Sequence, residues 1–174
     1  MNQLAPVLSA ATVLVVDDDP GTVMTFAYAL RTTGCRVLTA STGTEAIRQV
    51  GLATPDLVLC DLSLPDISGI DVCRALRKAS VAAAFVIVTG FASVSTAFEA
   101  GQYGATGFIE KPVDVDDLVA VVEEQLREQH GKTAPLGYEV QMTRIMHVIE
   151  RDYADPRLSV STMKVIDRLP PPTT

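Results

Sequence analysis

Residues 12–20 read Thr-Val-Leu-Val-Val-Asp-Asp-Asp-Pro. The apolar run 12–16 is continuous rather than alternating, the pattern expected of a strand covered by helices on both faces. Asp19-Pro20 then pairs a capping carboxylate with a proline at the first helical position. The strand therefore passes within three acidic residues into a helix, which runs to Thr33 and stops at Gly34.

The same unit recurs along the chain. Further short β-branched or apolar runs lie at 36–40, 57–61, 85–89 and 107–110. A second helix opens at Thr42-Gly43-Thr44-Glu45, which has the form of a capping box. Helical spacing follows over about 70–79, about 94–102 and from Asp114 to about Gln129, the last with Leu118, Val121, Val122 and Leu126 on one face. Five alternations predict an α/β chain with a doubly wound (βα)5 parallel sheet, right-handed crossovers and helices on both faces.

Composition supports a packed domain. Of 174 residues, 48% are apolar and 20% charged, which excludes a disordered or collagen-like chain. No run of 18 apolar residues suggests a membrane span. The start lacks a basic leader and does not read as a signal peptide. Cys35, Cys60 and Cys73 show no CxxC or zinc spacing and read as buried thiols in a reducing cytoplasm.

The net charge of −7 is unevenly spread. Residues 1–130 carry −8 and residues 131–174 carry +1, and the break coincides with the Gly131-Lys132-Thr133-Ala134-Pro135-Leu136-Gly137 stretch. The expected organisation is a flexible N-terminus (1–10), a domain (11–130), a linker (131–137) and a helical tail with a disordered proline-rich end (138–174).

In doubly wound sheets, sites form beyond the carboxyl ends of the strands. Here those ends carry Asp17, Asp18 and Asp19, then Asp61, then Thr89, then Lys111 and Pro112. Carboxylates gathered so closely repel one another unless a cation offsets them. With oxygen ligands throughout and no His or Cys nearby, a hard divalent ion such as magnesium is the natural partner. A carboxylate beside a cation, a lysine and a hydroxyl can accept a phosphoryl group, and an ionised Asp61 needs no general base.

The segments VLVVDDDP, DLVLCDLSLPDISG, VIVTG and GFIEKP, in this order, resemble the receiver domain of bacterial two-component response regulators over residues 11–130. The resemblance implies a flavodoxin-like sheet of order 2-1-3-4-5. It further implies that Asp61 is the phosphoacceptor and that Asp17, Asp18, Asp61 and the Ser63 backbone carbonyl hold Mg2+. Thr89 would be the switch hydroxyl and Lys111 its phosphate-pairing lysine, before a commonly cis Pro112. Phe108 would be the aromatic switch, lacking the hydroxyl of a tyrosine; Gly69 and Gly90 fit small positions. The implied partner is a sensor histidine kinase or phosphotransfer protein. Output would pass through the face of the fourth helix, fifth strand and fifth helix, by partner binding or homodimerisation. Such a protein is a cytoplasmic signalling switch, not a turnover enzyme, with self-phosphotransfer and autodephosphorylation as its own chemistry.

Taken singly, the same residues have plainer readings. Asp19 is a helix cap, Asp66 and Asp71 face solvent, Thr89 is a strand residue and Phe108 a core aromatic. Asp17-Asp18-Asp19 also resembles the first-strand motif of haloacid-dehalogenase phosphohydrolases, whose nucleophile would be Asp17, but Pro20 puts Gly21-Thr22 one residue out of place. No G-x-G-x-x-G follows the first strand, which disfavours a dinucleotide site. In the tail, residues 138–154 place Val140, Ile145, Val148 and Ile149 on roughly one face. Residues 138–163 resemble the start of an AraC-type DNA-binding region, apparently truncated, because Pro170-Pro171-Pro172 cannot continue a helix. DNA binding is therefore not expected of this chain.

Overall fold

The computed structural model describes residues 5–130. The elements are α1 (Ala5–Ala10), β1 (Thr12–Val16), α2 (Pro20–Thr32), β2 (Arg36–Ala40), α3 (Gly43–Ala53), β3 (Leu57–Asp61), α4 (Gly69–Lys78), β4 (Ala84–Thr89), α5 (Val94–Gln102), β5 (Gly107–Glu110) and α6 (Val115–His130). The tail expected over residues 138–174 lies outside the described residues.

All five strands are parallel, in the order β2-β1-β3-β4-β5. Continuous apolar runs make sense in this setting because each strand feeds two cores. Leu14, Val16, Val58, Cys60, Phe85 and Ile87 face the layer that includes Ala46, Val50, Val72, Leu76 and Ala97. Val13, Val15, Leu57, Leu59, Val86 and Val88 face the opposite layer, with Leu8, Phe26, Leu30, Leu118, Val122 and Leu126. Every residue of β3 and β4 is buried, whereas the edge strands β2 and β5 are only partly so. All three cysteines are free and buried.

Local chemistry sets the helix starts. Asp19 caps α2 by accepting from the Thr22 amide at 2.7 Å. Thr42 caps α3 through the Glu45 amide at 3.1 Å, but the Glu45 carboxylate reaches back to the Ser41 amide, one residue earlier than in a regular capping box. Ser68 caps α4 through the Asp71 amide, and Ser93 caps α5 through the Thr96 amide.

Residues 5–10 differ from the flexible lead-in expected of them. They form α1, which packs against α6 and buries Leu8. The Leu8 carbonyl accepts from the Ala11 amide, and the Ala11 carbonyl from the Arg36 amide, so the helix is tied directly to the sheet.

Leu118, fully buried on α6, anchors that helix to the sheet. Leu118→Ala leaves a cavity there and is expected to cost about 3 kcal/mol, read as a lower midpoint of urea unfolding with an unchanged slope.

Candidate functional site

β1, β3 and β5 end at the same rim of the sheet, and they bring Asp17, Asp61 and Lys111 together from 94 and 50 residues apart in the chain. The Lys111 ammonium donates to Asp17 Oδ2 at 2.6 Å and to Asp61 Oδ1 at 2.7 Å. Both carboxylates are buried, Asp17 with 3% and Asp61 with 7% of its surface exposed. Their remaining oxygens are also held: the Asp19 amide donates to Asp17 Oδ1 at 2.9 Å, and the Ser63 amide to Asp61 Oδ2 at 2.5 Å.

One ammonium thus faces two buried carboxylates, and Asp18, the next residue of the chain, is exposed and adds a further negative charge. Burial works to lower the Lys111 pKa, but hydrogen bonds from its ammonium to Asp17 and Asp61, with their charges, outweigh that and raise it above its ordinary 10.5.

Thr89 ends β4, almost fully buried, and its carbonyl accepts from the Lys111 amide at 2.8 Å. Its hydroxyl oxygen accepts from the Phe91 amide at 3.1 Å and is thus held by the loop that follows β4. The Lys111-Pro112 peptide is cis, as the resemblance implies. Phe108 lies in the core on the α3, α4 and α5 side. Gly90 is exposed, with open space where a side chain would stand.

Three features of the loop after Asp61 and the start of α4 escape sequence reasoning. Asp66 is exposed, as expected, yet its carboxylate accepts from the Gly43 and Thr44 amides, both at 2.8 Å, at the N-terminus of α3. Hydrogen bonding to Thr44 and Gly43 holds its pKa well below the ordinary carboxylate range. Asp71 is also more than a solvated charge: it accepts from the Ser68 hydroxyl at 2.8 Å and pairs with Arg74 at 3.1 Å. Gly69 has a stricter role. A Cβ on it would sit 2.4 Å from the Asp61 carbonyl oxygen, so only glycine lets the loop fold back onto the strand end. The Asp66 and Gly69 contacts leave no local signal in the sequence, because each joins residues brought together only by the fold.

The donor set suits a hard cation. Asp17, Asp18 and Asp61 offer oxygen alone, with excess negative charge and one lysine to offset it. Among the described residues, no three His, Cys, Asp or Glu side chains are gathered closely enough to hold an ion by themselves.

Comparison with known proteins matches residues 13–123 to the response regulator receiver domain. The chain belongs to this family. It is 34% identical over 119 residues to the cell cycle transcriptional regulator CtrA of Caulobacter vibrioides, covering 68% of this chain and 52% of the relative. It is 36% identical over 119 residues to the transcriptional regulatory protein ZraR of Escherichia coli K12, covering 68% and 27%. Among solved structures, the signal receiver domain of a putative LuxO repressor protein from Vibrio parahaemolyticus superposes with a TM-score of 0.67 at 29% identity, covering 69% of this chain and 92% of that one. A CheY-like receiver domain protein from Methanospirillum hungatei gives 0.67 at 30% identity, covering 70% and 97%. The chain spans about half the length of CtrA and about a quarter of ZraR. The match runs continuously through β1 to α6, so a phosphohydrolase built on Asp17 is not favoured.

A receiver whose lysine is held this way depends on it for stability. The folded-state pKa of Lys111 is raised, so its ion pairs contribute in full below its ordinary 10.5 and are lost as the pH climbs past the folded value. Lys111→Met is expected to cost about 2 kcal/mol at pH 7, a value kept modest because the lysine is partly exposed. The difference between variant and parent should shrink in urea unfolding as the pH rises past the raised folded-state value of Lys111.

Proposed function

We propose that this receiver is a phosphorylation-driven switch in a two-component phosphorelay and that Asp61 is its phosphoacceptor. The observation that carries this reading is the Asp61 carboxylate, buried at the end of the central strand β3 and held by the Lys111 ammonium from β5. The donor would be a phosphohistidine of a sensor histidine kinase or phosphotransfer protein. An Asp61 oxygen attacks phosphorus; the new O–P bond forms as the N–P bond breaks, and the electron pair stays on the imidazole nitrogen, which takes up a proton.

The chain's own residues prepare that step. Asp61 has one carboxylate oxygen on the Lys111 ammonium and the other on the Ser63 amide, which fixes the orientation of the attacking group. Lys111 keeps its proton through the working pH range and pairs with the charge of the transferred group. Magnesium would be held by Asp17, Asp18, Asp61 and the Ser63 backbone carbonyl, and when bound it neutralises charge on the phosphoryl oxygens.

The bound phosphoryl adds negative charge and strong acceptors beside the Thr89 backbone. Thr89 would then exchange the Phe91 amide for the phosphoryl group, and Phe108 would reorganise behind it. The face so altered is that of α5, β5 and α6, for partner binding or homodimerisation. Hydrolysis of the aspartyl phosphate would reset the switch, so the protein's only chemistry is its own phosphorylation and dephosphorylation. No described helix is long and apolar enough to cross a membrane, and we place the switch in the cytoplasm. Residues 131–137 would be a linker and 138–174 a separate extension.

Incubation with labelled acetyl phosphate and magnesium tests the reading. Asp61→Asn should abolish labelling, and Thr89→Ala should retain it while losing the conformational response. Labelling that persists in Asp61→Asn but vanishes in Asp17→Asn would move the acceptor to Asp17 and overturn the assignment.

A further inference from the structure

α4 touches the candidate site at one end and the edge of the sheet at the other. At its start, residues 62–68 fold back so closely that Gly69 lies on the Asp61 carbonyl, and the Gly69 amide donates to the Leu62 carbonyl at 2.9 Å. Asp66 pins the same loop to α3. The helix thus begins on the backbone of the acceptor residue itself.

Further along, α4 grips the turn that leads into β5. The Cys73 thiol donates to the Tyr103 carbonyl at 3.3 Å, and the Arg74 guanidinium lies 4.1 Å above the Tyr103 ring. Arg77 donates to the Gly104 carbonyl through Nε at 3.2 Å and Nη2 at 2.8 Å. Its Nη1 donates to the Val81 and Ala83 carbonyls at 2.6 and 2.9 Å. Gly104 has φ +89°, and a Cβ there would meet Arg77 Nε at 2.8 Å, so the turn is shaped to lie under the guanidinium. A planar group with five donors can hold several carbonyls in a fixed relation, which a lysine cannot.

What lies beyond that turn is a short strand on one edge. β5 has four residues and pairs with β4 alone, yet it carries Phe108 and leads directly to Lys111. Its entry is therefore set by β4 on one side and by the α4 contacts at its start.

We propose that α4 is a strut, fastened by Arg77, that carries a displacement of the loop after Asp61 to the turn at Tyr103 and Gly104 and so to the start of β5. This rests on the reading of Asp61 as the phosphoacceptor. It adds a second route to the output face, distinct from the hydroxyl of Thr89, and one that passes from the side chains of α4 to main-chain carbonyls of the turn.

The test follows backbone amide shifts of the full chain by NMR, with magnesium and beryllofluoride as the phosphoryl mimic. In the parent chain, the amides of Leu62 and Ser63 and those of residues 103–106 should both respond. In Arg77→Met the response at Leu62 and Ser63 should persist, while that at 103–106 falls to about half or less. An undiminished response at 103–106 in the variant overturns the strut. So does a parent chain in which Leu62 and Ser63 respond and 103–106 do not. If the parent shows no response at Leu62 and Ser63, the acceptor reading itself fails. Arg77→Lys, which keeps the charge but cannot hold the Gly104 and Val81 carbonyls together, repeats the comparison should Arg77→Met not fold, and an undiminished response there is equally fatal.

Discussion

The Lys111 ammonium between Asp17 and Asp61 is the contact on which the site depends. Two carboxylates buried side by side repel, and removing them from water is costly unless a cation shares the space. A single lysine satisfies both, yet it leaves this trio with one negative charge in excess, and the exposed Asp18 beside it adds a second. The same arrangement therefore stabilises the resting fold and favours the arrival of a further cation. It also explains why three strands must end in register: β1, β3 and β5 each supply one member, and a slip in any of them would separate the charges.

The architecture follows from that requirement and from burial. Each interior strand feeds two apolar layers, so its whole length is apolar until the rim, where polar residues begin abruptly. Asp17, Asp61, Thr89 and Lys111 were legible in the sequence for this reason: they stand where an apolar run stops. The helix starts at Asp19 and Thr42 were legible too, since capping is local chemistry written within four residues. What could not be read was contact between distant residues. The Asp66 carboxylate on the α3 amides, Gly69 against the Asp61 carbonyl and Arg77 on the Gly104 carbonyl all join segments 8 to 27 residues apart without any periodic signature. α1 was missed because six small and apolar residues carry too little pattern to separate a packed helix from a lead-in.

Those unread contacts share one region. They surround the loop after Asp61 and the helix that follows it, fixing the loop to α3 and the helix to the turn before β5. The strand cores give the receiver its shape, while these polar contacts tie the loop and the helix to their neighbours. Matches over 119 residues make up about half of CtrA but only about a quarter of ZraR, so the receiver is a unit carried by proteins of quite different lengths.

The rim depends on the charge balance around Lys111, which side-chain NMR titration of that amine reads out. Burial alone would lower its pKa, whereas two bonded carboxylates raise it, so titration is expected above the ordinary 10.5, with the excess reduced in Asp17→Asn. A Lys111 amine that titrates at or below 10.5 in the parent chain would contradict it.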